Sequence, residues 1–124
     1  MNRWLIMRLS VMVLGDPANS QALRLAARML EIAAESGATL DTLFLYHKGA
    51  YAALNPHPSS PLIRQLAELG ASTGLDCVVC RTALTRAGAE GQPLLAPFRL
   101  GGLADWLGAV ERADRVLRFG DPRA

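Results

Sequence analysis

Four short apolar runs, separated by stretches with helical spacing, constrain this chain more than any other feature. They are Leu9 to Leu14, Thr39 to Tyr46, Leu75 to Cys80 and Asp114 to Phe119. Each is about as long as a strand and closes on a glycine or a polar turn. From Gln21 to Glu35, Ala22, Leu25, Ala26, Met29 and Ala33 recur at helical spacing, and Leu23, Leu30 and Ile32 widen the stripe. Asn19 or Ser20 stands where a cap belongs, and Gly37 ends the helix. Pro61 starts a second helix running to about Ser72, with Leu62, Leu66 and Leu69 inward and Gly74 as its stop. Arg81 to Ala87 reads as a short helical piece and Gly88 to Pro97 as a loop. Leu100 to Val110 reads as a last helix carrying Leu103, Trp106, Leu107 and Val110, with Trp106 in the core or at a subunit interface. Strands alternating with helices predict βαβ units: a mostly parallel sheet with helices on both faces.

The 124 residues suit one domain, 1–124, and 51% are apolar, enough for a core without disulfide staples. Residues 55–61 read as a surface loop inside it. The net charge of +2 comes from scattered arginines and a single lysine, Lys48, so no basic track for nucleic acid is present. Two cysteines do not make an extracellular disulfide framework. No apolar run reaches the roughly 20 residues that span a bilayer. Asn2-Arg3 followed by Trp4 to Met7 has the look of a signal-peptide start. Arg8 interrupts the run, however, and Gly15-Asp16-Pro17 replaces a cleavage site, so the segment reads as a strand with a short leader. The expected location is the cytoplasm, with both thiols reduced.

Open parallel sheets build their sites at the C-terminal ends of strands. Three segments lie there: Gly15 to Ser20, Tyr46 to Tyr51 and Cys80 to Arg86. Cys80 falls where the third strand passes into a helical turn, and backbone N–H groups at a helix start favour a thiolate. Arg81 and Arg86 add positive charge nearby. The competing reading is a buried structural cysteine. Cys77 and Cys80 form C-x-x-C, but within a strand residues three apart point to opposite faces, which argues against a redox dithiol or a zinc site and leaves Cys77 as a core residue. His47 is either an acid/base or charged neighbour of Cys80 or a solvent-facing loop histidine. Lys48 and Tyr51 stand at the same edge, where Lys48 could hold an anionic sulfur species or solvate freely. The Gly15 segment lacks the glycine spacing of a nucleotide cradle, although a small-molecule binder with a pocket there remains an alternative.

Three stretches then resemble the DsrE/TusD family of small sulfurtransferase subunits: Met7 to Val13 with its turn to Gln21, Phe44 to Tyr51, and Val79 to Gly88. The tail from Phe98 through Gly101-Gly102-Leu103 to Phe119 is also similar, so the resemblance runs from about Met7 to Phe119. The third stretch departs from the family pattern by one residue between Cys80 and Leu84, and by Arg81 and Thr82 where small residues are usual. The resemblance implies a flavodoxin-like three-layer α/β sandwich and a sulfurtransferase whose Cys80 carries persulfide sulfur without a cofactor or metal. It implies a hetero-oligomer, typically a heterohexamer, with TusB/DsrH-like and TusC/DsrF-like subunits, a TusA-like donor and a TusE/DsrC-like acceptor. The sulfur then goes to 2-thiouridine of tRNA, without this subunit touching the tRNA, or belongs to oxidative sulfur metabolism; the alternative to both is a non-catalytic structural subunit of such a complex. It also implies a start at Met7, with residues 1–6 as an extension.

Overall fold

A computed structural model describes residues 7–54 and 60–121. The leader at 1–6 and most of the proline-rich loop, including His57, lie outside the described residues. The chain runs β1 (Arg8–Val13), α1 (Ala22–Glu35), β2 (Thr39–Leu45), a 3₁₀ helix (His47–Ala53), α2 (Ser60–Thr73), β3 (Asp76–Cys80), α3 (Arg81–Arg86), β4 (Arg99–Gly101), α4 (Leu103–Arg112) and β5 (Arg115–Phe119). All pairings are parallel, in the order β4-β3-β2-β1-β5.

That order explains the layers. Connections from β1 through β3 step along the sheet in one direction, and the link from β4 to β5 returns across it. Parallel crossovers share one hand, so a reversal of direction moves the connecting helix to the other face. Accordingly, Val11, Val13, Leu43, Leu45, Cys77 and Val79 pack with α1 and α2 in the main core. Met12, Phe44, Val78 and Cys80 form a thinner second core, covered in part by Trp106 of α4. The result is the three-layer α/β sandwich. Among the described residues, no helix is long and apolar enough to cross a membrane.

Several local expectations shift. The N-cap of α1 is Gln21, which makes no side-chain cap bond; Ser20, one residue earlier, accepts the Ala22 N–H on its Oγ at 3.1 Å. The buried stripe of α1 is Ala22, Leu23, Ala26, Ala27, Leu30 and Ala33, while Leu25 and Ile32 are exposed, because the sheet meets the helix about one residue round from the predicted axis. In α2, Ile63, Leu66 and Ala67 are buried, and Leu62 and Leu69 flank them. Leu100 belongs to β4 instead of the last helix. A three-residue edge strand has no periodicity to read. The segment after β2 is a 3₁₀ helix instead of a loop.

Two charge clusters tie the layers together at the N-terminal ends of the strands. Between Leu9 and Ser10 the β1–β2 register slips by one, which leaves Asp41 unmatched. Its carboxylate accepts Arg8 Nη1 at 2.9 Å, Arg112 Nε and Nη2 at 3.0 Å each, and the Thr42 hydroxyl at 2.7 Å. Arg99 donates to both oxygens of Asp76 at 2.9 and 2.8 Å and to Asp105 at 2.9 Å.

Candidate functional site

Cys80 is both the last residue of β3 and the N-cap of α3, in extended backbone at φ −63°, ψ 115°. Only 4% of it is exposed. It nevertheless lines a cavity of about 470 Å³ that opens at the C-terminal edge of the sheet. Tyr46, His47, Lys48 and Tyr51 contribute one wall, Thr82, Ala83 and Arg86 of α3 another, and Gly102 with Leu103 the third. Among the described residues that line it, the charged ones are Lys48 and Arg86, and none is a carboxylate.

Each wall has a local cause. The Tyr46 N–H donates to the Val13 carbonyl at 2.9 Å and so carries the β1–β2 ladder one step past β2. The Gly49 N–H then donates to Tyr46 O at 2.9 Å, turning the chain. A side chain at Gly49 would run into the Val13 carbonyl, so only glycine lets this turn lie against β1. His47, which starts the turn, sits at φ +55°, the one non-glycine residue with positive φ among the described residues. The Phe44 ring stacks on Tyr46 at 5.6 Å and on Trp106 at 5.9 Å, so the Tyr46 wall is backed by an aromatic stack in the second core. On the third wall, Asp105 accepts the Gly102 N–H at 2.9 Å while its other oxygen holds Arg99. These two contacts, the Gly102 N–H first, hold the Asp105 carboxyl below its ordinary value.

Of the residues singled out in the sequence, Lys48, Tyr51 and Arg86 share the cavity with Cys80. Arg81 does not. It is exposed and lines a separate small depression with Leu84, Thr85 and Glu90. The cause is helical rotation: each residue turns about 100°, so 82, 83 and 86 face the cavity and 81 points away. The loop after β1 lies elsewhere too. Pro17, Ser20 and Arg24 line a depression of about 380 Å³ shared with Pro61 and Gln65. Cys77 is enclosed in the opposite core, its thiol 3.7 Å from the Leu75 carbonyl. Burial, with the Asp76 carboxylate in second place, pushes its thiol up to about 12. The two sulfurs therefore serve different layers. Among the described residues, no three His, Cys, Asp or Glu side chains gather as a metal site.

Sequence reasoning missed the third wall. Gly102 and Leu103 reach the cavity only because β4 pairs with β3, placing Gly101 beside Cys80. The available signal was the Gly101-Gly102 pair just before a helical stripe.

Comparison with known proteins agrees with this fold. The chain is 33% identical over 123 residues to the sulfurtransferase TusD homolog of Pseudomonas aeruginosa, covering 87% of this chain and 94% of that protein. It is 28% identical over 130 residues to a protein of Allochromatium vinosum named as sulfurtransferase DsrE, covering 93% and 100%. Among solved structures, the ychN protein from E. coli superposes with a TM-score of 0.72 at 26% identity, covering 92% of this chain and all of that one. Residues 7–119 match the DsrE/DsrF-like family throughout. A parallel five-stranded sandwich with a cysteine at the end of its third strand, matched over nearly its whole length, is thus a member of the DsrE/DsrF-like family.

Proposed function

We propose that this chain is a persulfide-carrying sulfurtransferase, accepting sulfur on Cys80 and passing it to an acceptor thiol. The observation that carries the reading is the placement of Cys80 in an open cavity whose charged lining residues, Lys48 and Arg86, are both cations. A thiolate is the form that attacks a donor persulfide, and the resulting persulfide is itself an anion near neutral pH. Lys48 and Arg86 are there to pair with either anion, and none of the described lining residues is a carboxylate that would compete for them. Tyr51 lines the same wall and offers a hydroxyl to the incoming group. The chemistry needs no cofactor.

The apolar ridge of α4 supports action within an assembly. Leu103, Leu107 and Val110 are 51%, 62% and 40% exposed, an apolar ridge on one face of the helix of the kind that serves as an interaction surface. In this reading the assembly is a heterohexamer with TusB/DsrH-like and TusC/DsrF-like subunits, fed by a TusA-like donor and drained by a TusE/DsrC-like acceptor in the cytoplasm. The proposed destination is 2-thiouridine of tRNA, as for a TusD-like subunit. Retention of 2-thiouridine in cells lacking the chain would move the assignment to DsrE-like oxidative sulfur metabolism.

Incubation with a persulfide donor followed by intact-mass spectrometry tests the central claim. Wild type gains one sulfur atom, Cys80→Ser gains none, and Cys77→Ser loads as wild type does. Equal loss of loading in both variants would remove the assignment.

A further inference from the structure

From the geometry around His47 we infer that this residue handles the proton of the sulfur-transfer step, taking it from Cys80 and returning it to the departing donor thiol. The inference rests on the reading of Cys80 as the sulfur acceptor. Three observations converge on this one residue. His47 lines the same cavity as Cys80. It holds a left-handed backbone at φ +55°, a conformation that costs a side-chain-bearing residue free energy and that concentrates at working sites. Its Nδ1 is enclosed without a hydrogen-bond partner among the described residues, and an enclosed ring nitrogen left unpaired is itself unfavourable. Two local costs meet at a residue whose ring adds little to the core: it is half-buried and touches the Tyr46 ring only edge-on, at 6.3 Å. The local fold does not need an imidazole there, because the turn is set by Gly49 against β1. What the position gains is an imidazole, which has one ring nitrogen to accept a proton and one to donate it, in the wall of the cavity that contains the reacting thiol.

The step balances without an outside oxidant or reductant. The Cys80 thiol gives its proton to His47, and the thiolate electron pair forms a bond to the outer sulfur of the donor R–S–SH. The donor S–S bond breaks, its electron pair leaves on R–S⁻, and the imidazolium returns the proton to give R–SH. Cys80 is left as Cys80–S–SH, and sulfur is neither oxidised nor reduced overall. The other titratable or charged groups facing the cavity are Tyr46, Lys48 and Tyr51 on the wall of His47, Cys80 at the end of β3 and Arg86 on α3. None of these is a carboxylate that could take the role in its place.

The test is the rate of Cys80 loading by a small alkyl persulfide, followed by intact-mass spectrometry from mildly acidic to alkaline pH. His47→Asn keeps a residue type that tolerates the left-handed backbone, and His47→Gly removes the conformational cost altogether. Both variants should load about a hundredfold more slowly at neutral pH, the low end of what a positioned acid–base group contributes. The deficit should shrink as alkaline pH supplies thiolate directly, and added free imidazole should restore part of the rate. Wild-type rates in both variants would overturn the role of His47 while leaving Cys80 as acceptor. So would a deficit that is constant with pH and indifferent to imidazole, since that marks a structural effect. Failure of the wild-type protein to load at Cys80 would instead overturn the underlying reading.

Discussion

Asp41 shows how a single side chain can matter for folding and not for chemistry. It lies at the N-terminal end of the sheet, with its side chain only 6% exposed, and receives hydrogen bonds from Arg112, Thr42 and Arg8. The Arg112 guanidinium is the largest influence, and together the donors lower its carboxyl from 3.8 to about 2. A carboxyl whose folded value lies below its unfolded value stabilises the fold above the unfolded value. That stabilisation is lost as pH falls through the folded one. Asp41→Asn should therefore cost about 2 kcal/mol at neutral pH. The gap from wild type should narrow below about pH 4 and close near pH 2, as read by urea unfolding at several pH values. Loading of Cys80 in the folded variant should be unchanged. The cysteines divide in the same way: Cys77 stays protonated at neutral pH because its core desolvates the thiolate, whereas Cys80 meets a cavity with two cations.

At the scale of elements, the site depends on the docking of the 3₁₀ helix against β1. Its Ala50, Ala52 and Ala53 are buried in the main core, and Gly49 meets the backbone of Val13 and Leu14. Small residues let a helix of this tight pitch lie flat on the strand ends, with His47, Lys48 and Tyr51 left for the cavity wall. Gly49→Ala forces the helix away from β1. The expected cost is about 1–3 kcal/mol, typical of overpacking against backbone that cannot relax. Loading should slow as well, because the wall that carries Lys48 moves. Thermal unfolding with the loading assay checks both; a stable variant that loads normally would show that the wall tolerates displacement.

For the molecule as a whole, the proposed reactive cavity and the proposed docking ridge share one end of α4. Leu103 lines the Cys80 cavity and also begins the exposed ridge that continues through Leu107 and Val110. A subunit covering that ridge would border the cavity mouth and restrict which thiols reach Cys80. Leu107→Glu should leave the stability of the isolated chain within about 0.5 kcal/mol, as surface changes usually do. It should weaken association with co-expressed partner subunits, measured by analytical ultracentrifugation. Unaltered association would place the interface on another face.

The sequence alone determined four of the five strands, the two long helices, the parallel sandwich and the end of β3 as the place to look, because strand and helix periods are local properties written in apolar spacing. It also separated Cys77 from Cys80, since the two-residue alternation of a strand needs no tertiary knowledge. Tertiary structure decided what surrounds the thiol. The pairing of β4 with β3 brought in Gly102 and Leu103, helical rotation sent Arg81 outward and Arg86 inward, and the close approach permitted by Gly49 turned an expected loop into the wall that bears His47 and Lys48. Such choices depend on residues far apart in the chain meeting at one sheet edge, and no local pattern of side chains encodes that meeting.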